Sequence, residues 1–359
     1  MREQRYFYPI KKTTLAIRIF RIIPMILVTG GTGLVGSHLL YQLTLENETI
    51  KAIYRTEARL AGVKHVFSYF TEDVDALFSK IQWVKSDITN IPSLEVAFND
   101  VDIVYHVAAL VSFDPKDYRA MRQINIDGTA NVVNFCISNQ IKKLCFVSSI
   151  AAIGEALEGK ETTEENEWSL ETGNNGYSIT KHGAEMEVWR ASQEGVDVII
   201  VNPGVILGAG FWNINTGQLF SKVAKGFKFY TTGTTGFVGV NDVVKAMISL
   251  VKSEVVNQQF ILVSENKSFK EVFTLIAKAL DKKPPTIKIS KVITSIFQRL
   301  DYLATLITRK KRLFTKDSAK SLHSKTAYSS KKIKNDIGFE FTPLVDTIEE
   351  VASFYKKDY

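Results

Sequence analysis

The 359-residue chain holds only two cysteines, Cys136 and Cys145, and their spacing matches no metal-ligand pattern. A disulfide framework is thereby excluded, no metal site is expected, and the pair reads as buried thiols of a reducing compartment, hence a cytoplasmic location. Long apolar runs are lacking too: none approaches the roughly 20 residues that a membrane-spanning helix needs. Internal repeats and low-complexity tracts are absent. Charge of one sign is scarce in the body of the chain. The net charge is +7, but residues 1–24 carry Arg2, Arg5, Lys11, Lys12, Arg18 and Arg21 against Glu3 alone, which accounts for most of it. The remainder is close to balanced and carries no nucleic-acid motif, so a nucleic-acid partner is not expected. Within the tail, "IFRIIPMILV" is interrupted by Pro24, which argues against a cleavable leader. Met25 is read as the start of the folded product, with residues 1–24 a basic extension that is disordered or never made.

What is present is a 45% hydrophobic composition, enough for a substantial core. From Met25 onward, short β-rich runs alternate with helix-length stretches. Strands are expected at 25–29, 50–54, 81–84, 102–107, 143–148 and 197–202, with helices at 34–45, 92–99, 117–139 and 177–194. Near-continuous Ile/Val runs suit strands covered on both faces, and the alternation implies parallel pairing. The expected fold is therefore α/β, a Rossmann-type doubly wound parallel sheet over 25–204, with a smaller, mainly substrate-binding domain over 205–359. In that second part "TTGTTGFVG" (231–239) reads as loop and "NDVVKAMISLV" (241–251) as helix. Residues 289–307 place Ile289, Val292, Ile293, Ile296, Phe297, Leu300, Leu303, Leu306 and Ile307 at helical spacing. Such a stripe ordinarily packs on the core. With "RKKR" (309–312) behind it, peripheral membrane contact through 289–312 is the less favoured reading.

"TGGTGLVG" (29–36) follows the first strand and opens the first helix. Gly30 permits the tight turn, Gly33 lets backbone approach a pyrophosphate, and Gly36 lets the helix pack close to the sheet. The helix N-terminus offers free amides and a positive dipole end to phosphates. In this strand–turn–helix position the motif points to a bound dinucleotide, with Gly30, Thr32, Gly33, Leu34, Val35 and Gly36 as its cradle. The second strand ends "AIYRTEAR", placing Arg55 where an acid would bind the ribose hydroxyls of NAD. A guanidinium suits a 2′-phosphate in charge and fork geometry, so NADP is expected, with NAD the other choice. Asp87 in "SDITN", with Ile88 beside it, is a candidate for the adenine edge, or else an ordinary turn residue.

A tyrosine four residues before a lysine puts both on one helix face. The spacing occurs three times, as Tyr8/Lys12, Tyr177/Lys181 and Tyr328/Lys332, but only the middle pair opens a helix inside the α/β alternation. It follows the strand "KLCFVSSIAAIG", whose end carries Ser148 and Ser149. Ligands in such sheets bind beyond the carboxyl ends of the strands, so these groups can converge. A free phenol titrates near ~10; a neighbouring ammonium and a cationic ring favour its ionised form. Tyr177 is thus the candidate acid–base group, Lys181 its electrostatic partner and a holder of ribose hydroxyls, and Ser149 a donor to the substrate oxygen. Ser148 is read as structural.

These stretches together resemble the extended short-chain dehydrogenase/reductases, also called the NAD-dependent epimerase/dehydratase family. The resemblance rests on "TGGTGLVG", "DIVYHVAALVSF", "INIDGTANVVNFC", "FVSSIAAIG", "YSITK", "VNPGVILG" and "FVGVNDVVKAM", in family order from 25 to about 250, and on "YSSKKIKNDIGFEFTPLVDTIEEVASFY" near the end. It implies catalytic Ser149, Tyr177 and Lys181. It sets His106 and Ala108 of "HVAA" against the cofactor ribose, and Pro203 and Gly204 of "NPG" by the nicotinamide. Asn125 corresponds to a family asparagine near the active site, and a homodimer through helix faces is a common family arrangement. The comparison gives His106 packing or cofactor contact rather than catalysis. Val111 and Phe113, and likewise Phe211 and Trp212, either line a substrate pocket or fill core.

"AIYR" and "VSSIAAIG" most resemble the dihydroflavonol reductase and hydroxysteroid dehydrogenase branch. The leading expectation is an NADP-dependent oxidoreductase interconverting a ketone or aldehyde and an alcohol. A nucleotide-sugar epimerase or dehydratase that retains NAD comes second, disfavoured by Arg55. A redox-sensing dinucleotide-binding protein comes third, disfavoured by Tyr177 and Lys181. The identity of the small-molecule substrate is not encoded in any recognisable motif.

Overall fold

A computed structural model describes residues 23–46, 48–169, 175–291, 293–294 and 322–359. Most of the basic tail, most of the 289–307 stripe and "RKKR" lie outside the described residues. Seven parallel strands form the central sheet: β1 (Met25–Thr29), β2 (Thr49–Tyr54), β3 (Ile81–Lys85), β4 (Ile103–His106), β5 (Lys143–Val147), β6 (Asp197–Pro203) and β10 (Gln258–Leu262). Their spatial order is β10-β6-β5-β4-β1-β2-β3. The chain grows in one direction from β1 and in the other from β4, so a crevice opens between these two strand ends.

Side-chain alternation explains why both faces are covered. Met25 and Leu27 enter one core and Ile26 and Val28 the other; Val198 and Ile200 of β6 likewise oppose Ile199 and Val201. Helices α1 (Leu34–Leu45) and α9 (Val240–Lys252) cover one face through Leu39, Leu40, Val243 and Met247. The other face is covered by α4 (Ile91–Ala97), α6 (Gly128–Ser138) and α7 (Gly176–Gln193) through Leu94, Val132, Val133, Ala184 and Val188. Between β2 and β3 lie α2 (Leu60–Phe67) and α3 (Val74–Ser79). Ahead of α6, α5 (Tyr118–Met121) continues through a π-helical turn, Arg122–Asp127, so the segment is one winding helix where 117–139 is expected.

A second lobe uses β7 (Val205–Leu207), β9 (Thr234–Gly239) and β11 (Glu265–Ser268) as a three-stranded sheet, and β8 (Phe229–Tyr230) with β12 (Ile287–Lys288) as a two-stranded one. Its helices are α8 (Gly217–Ala224), α10 (Phe269–Ala279) and α12 (Leu344–Asp358), and its core gathers Trp212, Phe220, Phe237, Ile276, Leu344 and Tyr355, while α11 (Lys331–Ile337) packs on β10 and buries Ile333 in the sheet core.

Two expectations change here. The segment 231–239 is not simply loop: Thr234–Gly239 is a strand paired antiparallel to β11 and parallel to β7. Its threonines suit an extended backbone, and its glycines, which read as loop, admit a close neighbour instead. A Cβ on Gly236 would meet Val263 Cγ2 at 2.5 Å. The sheet also does not end at residue 204, because α9 and β10 return to it and β10 pairs along β6. An exposed edge on β6 would carry unpaired backbone groups, and "QQFIL" covers it. Among the described residues no helix is long and apolar enough to cross a membrane.

Candidate active site

The glycine turn lies where β1 and β4 part. Gly30 has φ +70°, a conformation L side chains rarely adopt, and a Cβ there would stand 2.5 Å from Ala108 N. Gly33 closes the turn by donating its N–H to Gly30 O (3.1 Å) and is the N-cap of α1, without a capping side chain or an acid in the first turn. A Cβ on Gly33 would meet protein only at Gly30 O, 3.5 Å away, so this amide edge stands clear for a phosphate. Gly36 packs against the turn that ends β1: a Cβ there would come within 2.2 Å of Gly30 O and 2.7 Å of Gly31 Cα. Thr32, Gly33 and Leu34 are half-buried at the mouth, while Val35 is core. These residues fit a dinucleotide pyrophosphate.

Beneath the turn, Thr29 and His106 brace the two strands. Thr29 Oγ1 lies 2.6 Å from His106 Nδ1 and accepts the N–H groups of Val107 and Ala108 (3.2 and 3.3 Å). His106 Nε2 lies 2.9 Å from Thr129 Oγ1. Both ring nitrogens are thus engaged. Burial, helped by the Lys181 ammonium, lowers the imidazole to about 3 and keeps it neutral. His106 is fully buried, bracing β4 against β1 and α6.

At the tip of β2, Arg55 is exposed, and its Nη1 stands 3.7 Å from Asp87 Oδ2. Half-exposed pairs of this kind hold weakly. Asp87 Oδ1 is occupied by the N–H and hydroxyl of Thr89 (2.9 and 2.8 Å), and Ile88 is buried beneath Gly128.

The Ser149, Tyr177 and Lys181 candidates converge past β5. Ser149 caps a short 3-10 turn, its Oγ accepting from Ala151 N (3.2 Å), and its hydroxyl lies near enough to the Tyr177 phenol to favour the ionised form. Asn175 starts α7 by accepting from Ser178 N (2.8 Å), which fixes the turn that carries Tyr177. Asn125, in the π-helical turn, accepts from Leu110 N (2.7 Å) and donates to Leu110 O and Thr180 Oγ1. It ties the strand exit after β4 to the residue before Lys181.

The electrostatics depart from the simple expectation. Burial pushes the Tyr177 phenol above its ordinary value, with the Ser149 hydroxyl pulling the other way. The Lys181 ammonium does not reach for the phenol: it donates to Val147 O (2.7 Å) and sits 4.6 Å from the Phe146 ring centroid. Burial lowers that amine to about 8, opposed by Glu185. Neither Glu185 nor its bond from Asn202 is anticipated from the sequence; the i, i+4 spacing from Lys181 was the available signal. Pro203 and Gly204 follow Asn202 at the end of β6, and Asn202 Nδ2 also donates to Ser149 O (3.0 Å).

Phe113, 45% exposed, meets the Tyr177 ring edge-to-face at 5.8 Å, and Val111 nearby is 41% exposed, so this side of the opening is apolar. Trp212 instead belongs to the second core, against Phe220 and Tyr355 and donating to Asp358, while Phe211 lies near Gly62 of α2. The other described tyrosine–lysine pair is structural: the Tyr328 backbone pairs with the side-chain amide of Asn266, and Lys332 donates to Gln258. Cys136 and Cys145 are buried free thiols, and burial raises both. Among the described residues, no group of three or more His, Cys, Asp or Glu is placed to hold a metal.

This glycine turn at the switch point of a parallel sheet defines an NAD(P)-binding protein of the Rossmann type. The chain belongs to the NAD dependent epimerase/dehydratase family, whose model matches residues 26–262. It is 27% identical to tetraketide alpha-pyrone reductase 2 of Arabidopsis thaliana over 72% of this chain and 83% of that protein. It is also 27% identical to UDP-glucose 4-epimerase of Vibrio cholerae, over 78% and 84%, and 24% identical to dihydroflavonol 4-reductase of Arabidopsis thaliana, over 88% and 77%. One curated relative is matched over only 60% of its length. The solved structure of gox2253 superposes with a TM-score of 0.77 at 22% identity, covering 93% of this chain and 98% of that one.

Replacing Gly30 by Ala is expected to cost about 2–5 kcal/mol, the strain of a left-handed alanine added to that of overpacking. It should also abolish dinucleotide binding. Denaturant melts and NADPH fluorescence titration check both; a variant with parental stability and affinity contradicts the reading of this turn.

Proposed function

We propose that the protein is an NADP-dependent oxidoreductase interconverting a ketone or aldehyde and an alcohol, with Ser149, Tyr177 and Lys181 as its working groups. The observation that supports this reading is the meeting of Ser149 and Tyr177 beyond β5, with Lys181 one helical turn behind the phenol. The dinucleotide, when bound, supplies or accepts the hydride. Gly30, Thr32, Gly33, Leu34, Val35 and Gly36 would hold its pyrophosphate, Asp87 and Ile88 its adenine, Ala108 and Lys181 its nicotinamide ribose, and Pro203 and Gly204 its ring end.

The roles follow from chemistry. A carbonyl oxygen gains negative charge as its carbon is reduced, and hydroxyl donors aimed at it stabilise that charge. Ser149 orients the oxygen, and Tyr177 gives it a proton. A phenol raised by burial is protonated across the neutral range, which suits the reducing direction. In the oxidising direction the same phenol must lose its proton, and the Lys181 charge assists. Val111 and Phe113 give the opening an apolar wall, in keeping with a carbonyl substrate that is not strongly hydrophilic.

NADP is preferred because Arg55 stands exposed at the β2 tip and its link to Asp87 is loose enough to exchange for a phosphate. A second reading, an epimerase or dehydratase that keeps NAD, draws support from the Vibrio cholerae relative; dialysis of the purified protein separates the two, since only that reading expects nucleotide to stay bound.

In a panel of carbonyls and alcohols followed by NADPH absorbance, Tyr177→Phe is expected to lower kcat on the best substrate about 100-fold or more. Parental turnover by that variant overturns the mechanism. Arg55→Asp should weaken NADP roughly ten- to hundredfold while changing NAD much less. Equal weakening of both, measured by titration, removes the cofactor preference.

A further inference from the structure

Lys181 and Glu185 sit one turn apart on α7, and each is only 2% exposed. A lysine and a glutamate this deeply buried are costly unless each is compensated. The compensation is visible. Lys181 Nζ has Val147 O and the Phe146 ring, and Glu185 Oε1 accepts from Asn202 Nδ2 at 2.5 Å. The same Asn202 amide donates to Ser149 O, so the carboxylate, the amide and the backbone of the substrate-orienting serine form one chain.

We propose that Glu185 is a positioning residue of this site: its carboxylate keeps the buried Lys181 ammonium charged and, through Asn202, sets the backbone that presents Ser149. The proposal rests on the reading of Ser149, Tyr177 and Lys181 given above. Burial pushes both members of the pair toward neutrality, the amine downward and the carboxyl upward, and each draws the other back. The groups around them are accounted for. Tyr177 lies on the same helix with its phenol raised, and His106 of β4 is held neutral. Ser148, beside the carboxyl, and Asn202 of β6 do not titrate in this range. Lys181 is therefore the charged group that Glu185 acts on.

The sign follows. A neighbouring carboxylate favours the ammonium, so removing its charge lowers the lysine further. Raising the pH then discharges Lys181 earlier, before the phenol ionises, and the alkaline limb of the reaction moves down.

The experiment compares the parent, Glu185→Gln and Glu185→Asp in the full chain, with Tyr177→Phe as control, on the best substrate of the carbonyl panel with NADPH. Glu185→Gln keeps an acceptor for Asn202 but no charge; its alkaline limb in kcat should move about one pH unit downward. Glu185→Asp should keep the limb near the parental position at a reduced rate. A merely structural role would lower the melting temperature and leave the limb in place. A parental pH profile in Glu185→Gln, or identical limbs in the Gln and Asp variants, overturns the proposal. If Glu185→Gln does not accumulate folded, 13C-labelled parent protein decides by NMR. The Glu185 carboxyl resonance should titrate in step with the kinetic limb, and one silent across the neutral range overturns the assignment. An active Tyr177→Phe would instead defeat the reading of the site itself, whereas an inactive Tyr177→Phe with an unmoved Glu185→Gln profile defeats only the role of Glu185.

Discussion

Where β1 ends, its backbone runs so close under the exit of β4 that no side chain fits between Gly30 and Ala108. That approach makes the crevice. The Thr29–His106–Thr129 relay holds the two strands in register beneath it, and α1 begins immediately above with its amides uncapped. A larger residue at 30 would wedge the strands apart, and the cradle, the brace and the helix start would be lost together. Everything proposed for phosphate binding depends on this packing, which is a steric fact before it is a chemical one.

The second constraint is electrostatic and lies two strands away. Tyr177, Lys181 and Glu185 are set along one face of α7 and pressed against β5 and β6, where water is scarce. Desolvation disfavours every charge there, which keeps the phenol protonated and the imidazole of His106 neutral. The Lys181 cation is held by a carbonyl and an aromatic face, and the charge of Glu185 one turn along the helix favours it. Such an arrangement responds strongly to one added or removed charge, which is what the proposed transfer of hydride and proton would require.

Much of this was legible in the chain itself. Six of the seven strands announce themselves as short Ile/Val runs, and the turn at 29–36 has its meaning because it falls between a strand and a helix. The tyrosine–lysine spacing alone would have misled, since Tyr328/Lys332 shares it and serves packing. What escaped reading did so for physical reasons. Thr234–Gly239 looks like loop because its glycines mark the close approach of Val263 and Thr347 side chains rather than flexibility, and Gln258–Leu262 lies in a stretch that local composition assigns to the second lobe. The partners of Lys181 are tertiary: Val147 and Phe146 lie on β5, so a two-residue motif cannot say where the ammonium points.

The most direct test of the central claim is a crystal structure of the protein with NADP bound. The pyrophosphate should lie on the amides around Gly33 and Leu34. The Tyr177 and Ser149 hydroxyls should face the reactive edge of the nicotinamide from one side. A dinucleotide seated elsewhere, or a Tyr177 hydroxyl turned away from the ring, would contradict it.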